Sequence, residues 1–124
     1  MAPGAENGSL MKGEAMTIEK FRELALALPE ATEAPHFDKI SFRVRRKIFA
    51  TVSSEGEVVH LFVGEPEREM MLASQPAVYE KLWWGKNVMG LRARLAAVSP
   101  EDIEELLRAA WRQKAPAALH HLLV

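Results

Sequence analysis

From Thr17 onward the chain switches between helical and extended hydrophobic spacing. Phe21, Leu24, Ala25 and Leu28 recur at intervals of three and four, with Glu19, Arg22 and Glu23 off that stripe, which predicts an amphipathic helix over 18–28. Thr17 suits its N-cap, and Pro29 ends it because the residue before a proline is pushed out of the α region. The following stretch, 30–39, contains Pro35 and no periodicity, and reads as a loop. Ile40, Phe42 and Val44 then alternate with Ser41, Arg43 and Arg45, the period of a strand with one buried face. Ile48, Ala50 and Val52 repeat the pattern after a basic turn at Arg45 and Arg46, and the turn-forming run Ser53–Glu57 leads into a third strand within 58–63. These three strands predict an antiparallel meander.

Beyond it, 65–74 reads as a short helix with Pro66 in its first turn. The segment 77–84 fits either a short helix or a packed loop. A fourth strand is predicted over 88–95, with Leu91, Ala93 and Leu95 on one face and Arg92 and Arg94 on the other. The last helix, 100–114, is the most strongly signalled element. Ser99 caps it, Pro100 opens it, Glu101 and Asp102 meet the positive end of its dipole, and Ile103, Leu106, Leu107, Ala110 and Trp111 form its apolar stripe. Pro116 breaks it, and 117–124 can add a short helical turn, with His120 and His121 in a frayed tail. The class is α+β: an antiparallel sheet packed on one side by amphipathic helices, since strands with one apolar face need a second layer.

Composition narrows the possibilities. A chain of 124 residues can bury one core and not two, so a single domain over 16–124 is expected, preceded by a disordered leader over 1–15 that is rich in glycine and poor in apolar residues. No run approaches the roughly 20 apolar residues needed to cross a bilayer, and the first residues lack the features of a secretory signal. The chain has no cysteine, which excludes disulfides, thiolate metal sites and a cysteine nucleophile, and fits a cytoplasmic location. A net charge of −1 gives no overall attraction to nucleic acid, so any such function must rest on uneven distribution of the basic residues.

That distribution is uneven. Lys39, Arg43, Arg45, Arg46 and Lys47 fall within nine positions without an acidic residue, and Lys86, Arg92 and Arg94 fall in a second acid-free stretch. Strand alternation places Arg43, Arg92 and Arg94 on the face away from the apolar side chains, while Arg45, Arg46 and Lys47 crowd a hairpin tip. A basic hairpin can reach phosphates or enter a groove; the competing explanation is a solvated face whose charges discourage edge pairing. Trp83, Trp84 and Lys86 beside Gly85 form an aromatic and basic cluster able to stack bases, although tryptophans more often anchor packing, which is the reading for Trp83. His36, Asp38 and Ser41 carry the residue types of a hydrolytic triad but crowd one loop and strand without a nucleophile turn, so no enzyme activity is expected. Neither a metal-ligand motif nor a phosphate-binding loop is present, and no cofactor is expected.

The order of these features resembles the MmcQ/YjbR family of small bacterial proteins. The resemblance is carried by Leu28-Pro29, Pro35-His36, the run SFRVRRKIFATV, Trp84-Gly85 and the terminal SPEDIEELLRAAWRQKAP, and it covers most of the chain from Thr17 to Pro116. It implies a double-wing α+β fold and DNA binding. Members of that family often have glycine or asparagine in the first hairpin turn; Arg45 and Arg46 stand there instead, which argues against a tight primed turn. The expectation is a DNA-binding module, a monomer by default, that contacts phosphates through Arg43, Arg45, Arg46, Lys47, Arg92 and Arg94, with Lys39, Lys86 and Trp84 at the margin. The alternative is a protein-interaction or small-ligand module using the surroundings of His36, Phe37 and Trp84.

Overall fold

A computed structural model describes residues 15–123; the expected leader therefore lies almost wholly outside the described residues. Helix α1 (Ile18–Leu26) begins where Thr17 Oγ1 accepts the Lys20 amide at 3.1 Å, and closes two residues earlier than its hydrophobic spacing predicts. The chain turns through Ala27–Glu30, with Leu28 still buried. Six strands follow, interrupted by one helix: β1 (Ala31–His36), β2 (Lys39–Val44), β3 (Lys47–Ser53), β4 (Val58–Leu61), α2 (Glu65–Ser74), β5 (Tyr79–Trp84) and β6 (Asn87–Arg94). A 3₁₀ turn leads into α3 (Pro100–Lys114), capped by Ser99 Oγ on the Asp102 amide at 3.1 Å. The strands form one antiparallel sheet in the order β1-β2-β3-β4-β6-β5.

Two of these strands depart from the sequence expectation. The segment read as a loop contains β1, and the segment read as a short helix or packed loop contains β5. Both are edge strands, and both are largely exposed along their length. An edge strand beside a solvated face needs little apolar alternation, and Pro35 is tolerated there because one row of its backbone groups has no neighbour to bond.

The core lies between one face of the sheet and the helices. Phe42 and Val44 of β2, Phe49, Ala50 and Val52 of β3, Val59 and Leu61 of β4, and Leu91 and Ala93 of β6 are buried with the stripes of α1 and α3. A bulge sets the detail on β3. Phe42 pairs with Ala50 but Arg43 pairs with Ile48, so Phe49 is the extra residue. The parity of the strand changes there: Phe49 joins the core, and Ile48, expected inside, turns half-buried onto Arg43's side. Trp111, fully buried on α3, donates Nε1–H to the Pro29 carbonyl at 2.8 Å and so ties the last helix to the exit of the first. Truncating such a tryptophan to alanine costs about 3–5 kcal/mol. The C-terminal tail is packed rather than frayed: Leu119 and Leu123 are buried, His120 Nε2 lies 3.1 Å from the Ala115 carbonyl, and Arg112 donates to the Leu123 carbonyl.

The sheet skips from β4 to β6, and Gly90 sits beside that junction. A Cβ at Gly90 would lie 2.1 Å from the Leu61 carbonyl oxygen, and the backbone there has φ +157. Gly90→Ala is therefore expected to destabilise the fold by about 3 kcal/mol or more through forced separation of β4 and β6. Urea unfolding would show this as a lower midpoint, and an unchanged midpoint would refute it.

Candidate nucleic-acid interface

Three of the hairpin positions expected to carry charge sit in one turn. Only Arg45 and Arg46 separate Val44 from Lys47, which pair with each other, and they have φ of 49° and 73°. Positive φ at both central residues is the requirement of a type I′ turn, so the tight primed turn forms despite two arginines. Each left-handed non-glycine residue costs roughly 1–2 kcal/mol, which the flanking ladder must offset. Arg45 is engaged by Glu30, with Nε at 2.7 Å and Nη2 at 3.3 Å from the two carboxylate oxygens. That hydrogen bonding holds the Glu30 carboxyl below its ordinary pKa. Arg46 and Lys47 are exposed and have no hydrogen-bond or ion-pair partner among the described residues.

The β5–β6 hairpin turns through Gly85, at φ +60, and Lys86. Trp84 is 75% exposed and Trp83 56%, so the packing expected for Trp83 does not occur. No residue between Leu82 and Met89 belongs to the core, because this hairpin runs past the end of β4. Lys81 Nζ lies 5.7 Å from the centre of a Trp83 ring.

Sheet order brings these two tips together. Antiparallel pairing through β4 makes β3 and β6 run in the same direction, so the Arg45–Arg46 turn and the Gly85–Lys86 turn project from the same end. Only β4 separates β3 from β6, a lateral distance of about 10 Å. β4 stops at Leu61, while β6 continues from Leu91 back to Asn87 and β3 from Ala50 back to Lys47, so both tips extend beyond the end of β4. Past β4, Phe62 has Lys114 Nζ 5.6 Å from its ring centre. Lys81, Trp83 and Lys114 thus join this end of the molecule. Sequence reasoning missed the two lysines because Lys81 lies in the segment read as a short helix or packed loop and Lys114 closes the last helix, far along the chain from either hairpin.

The remaining basic residues are dispersed. Arg43, Arg92 and Arg94 do share the helix-free face, as alternation predicts, but they do not cluster. Pairing places Ser41, Thr51, His60, Arg92 and Glu80 in one row across the sheet; Arg43 lies beyond that row toward the tips and Arg94 beyond it the other way. Arg92 is ion-paired with Glu80, Arg43 Nε donates to Ser41 Oγ at 3.0 Å, and Lys39 Nζ pairs with Asp38 at 3.2 Å. Lys39 stands at the opposite end of the sheet from the Arg45–Arg46 turn. The triad residues are likewise committed elsewhere: Ser41 Oγ donates to the Ala34 carbonyl at 2.8 Å, Asp38 binds Lys39, and the His36 ring packs edge-on against Phe37, which is 92% exposed. Among the described residues no group of three metal-ligating side chains gathers, and no helix is long and apolar enough to cross a membrane.

The YjbR family model matches residues 26–113, from the end of α1 almost to the end of α3. The chain belongs to the YjbR family. Its fold is similar to the crystal structure of Deinococcus radiodurans protein DR2400, with domain DUF419, at a TM-score of 0.66 and 20% identity, covering 78% of this chain and 77% of that one. No curated protein matches it in sequence. In this YjbR chain the matched region includes both hairpin tips, the helix-free face and Trp111.

One titratable group on that face gives a pH prediction. His60 is held below its ordinary pKa, first by burial and then by the charges of Lys39 and Arg92. The folded protein therefore takes up this proton at lower pH than the unfolded chain. This contribution is fully present above about pH 6.5 and is lost as pH falls toward and below the lowered folded value. Thermal unfolding at about pH 7 and about pH 5 is expected to show a smaller loss for His60→Gln than for the parent, and equal losses would contradict the assignment.

Proposed function

We propose that this protein binds DNA through the paired hairpin tips, favouring unpaired strands. The observation that supports this reading is the convergence of Arg46, Lys47 and Lys86, unpaired among the described residues, with exposed Trp84 at one end of the sheet. Cations neutralise phosphates, and an exposed indole offers a stacking surface to any base. The chain's net charge of −1 keeps attraction local to this end. Arg45, Arg92 and Lys39 contribute less because carboxylates already hold them. No side chain here has a base-edge partner defined by geometry, so the reading is of affinity without sequence preference.

Fluorescence titration with a single-stranded oligonucleotide and its duplex at several salt concentrations tests this. The parent is expected to bind more weakly as salt rises, and Arg46→Ala/Lys47→Ala/Lys86→Ala to lower the log–log salt slope by about 2, at roughly 0.7 per phosphate contact. Trp84→Ala should cost about 1–3 kcal/mol on the single strand. Salt-independent binding, or equal binding by parent and triple variant, would overturn the proposal.

A further inference from the structure

The helix-free face holds an unusual floor. Thr51 Oγ1 is buried, with its residue 3% exposed, and has no hydrogen-bond partner among the described residues. Its strand neighbours in the same row are Ser41 and His60, so it lies under the polar face and not under the helices. An unpaired buried hydroxyl is costly, and valine would fill the same volume without that cost. The groups around it are cationic or able to donate. His60 is opposite both Thr51 and Arg92, and Arg43 and Lys39 flank Ser41 along β2 on the same face. The one carboxylate in the row, Glu80, sits at its outer end on the edge strand and is 62% exposed at its side chain.

A cleft of about 590 Å³ adjoins this row, lined by Val58, Glu80, Arg92 and Arg94 of the same face together with Pro76–Val78. That volume lies within the range of small-molecule sites. Arg92 belongs to both the row and the cleft.

We propose that this face is a binding site for a small molecule bearing a phosphate or carboxylate group, held by Arg92, His60 and Lys39 above the Thr51 hydroxyl, with its remainder in the adjoining cleft. The site is separate from the hairpin tips and does not depend on their function. Thr51 Oγ1 gains its missing partner when an anion oxygen reaches it between the side-chain ends of its neighbours, and Lys39 and Arg92, 33% and 44% exposed at their side chains, have room to turn toward that anion. Glu80 competes with the ligand for Arg92, so neutralising it strengthens binding.

The test is a titration of the full chain followed by NMR at the His60 ring and the Thr51 amide. The probes are inorganic phosphate, citrate, adenosine monophosphate and, as an uncharged control, adenosine. Saturable shifts with at least one anionic probe and none with adenosine are expected. Arg92→Ala should weaken binding about tenfold or more, Thr51→Val should weaken it by a smaller factor while melting at or above the parent's temperature, and Glu80→Gln should tighten it. Arg46→Ala/Lys47→Ala/Lys86→Ala should leave it unchanged, which separates this site from the DNA-binding reading. Unmoved His60 and Thr51 signals with every anion, or binding unaffected by both Arg92→Ala and Thr51→Val, would overturn the proposal.

Discussion

The contact between Gly90 and the Leu61 carbonyl joins two halves of a sheet that are not consecutive in the chain. β1 to β4 form a meander and β5 with β6 form a hairpin, and α2 lies between them in sequence. Only the β4–β6 ladder makes one sheet of the two. Its core-side residues, Val59, Leu61, Leu91 and Ala93, are almost completely buried, so the junction also completes the surface on which the helices rest. A side chain at Gly90 would push the strands apart, and both the core and the common end of the hairpins would be lost with the ladder.

The same junction explains how a protein with a slight negative charge can present a cationic end. The charges do not move; sheet order sorts them. Two hairpins separated by about 40 residues of chain point the same way because two antiparallel steps, β3 to β4 and β4 to β6, restore the strand direction. Carboxylates then select among the cations. Glu30, Glu80 and Asp38 take Arg45, Arg92 and Lys39 into surface pairs of small individual worth, leaving Arg46, Lys47 and Lys86 without such partners among the described residues. An isolated count of basic residues treats all of them as equal.

The two faces of the sheet follow different rules. Beneath the helices, apolar packing leaves, among the described residues, only the Tyr79 hydroxyl without a partner, buried near Asp102 and pushed to a higher pKa chiefly by that burial. On the other face a polar row crosses the sheet, and Thr51 is buried there without a partner although no apolar layer requires it. A stability-driven sequence would place valine at that position. Retaining a hydroxyl between Ser41 and His60 separates what the core needs from what the open face is available to do.

By itself the sequence determined the elements whose signals are local. The capped helices, the alternation of β2 and β6, and the parity of His60, Arg92 and Arg94 all follow from residues within a few positions of one another, and the family resemblance follows from the order of such short motifs along the chain. Tertiary structure decided what depends on distant partners. Edge strands β1 and β5 have little periodicity because they bury little, and they exist because β2 and β6 offer them unpaired backbone. The β3 bulge reverses the parity of Ile48, and the ladder on both sides of Arg45 and Arg46 imposes a turn their own preferences oppose. Which hairpin tips meet was set by the skip from β4 to β6, while the β1–β2 and β5–β6 pairings brought Glu30 to Arg45 and Glu80 to Arg92. A local pattern can specify a strand's faces, but only pairing across the sheet specifies its neighbours.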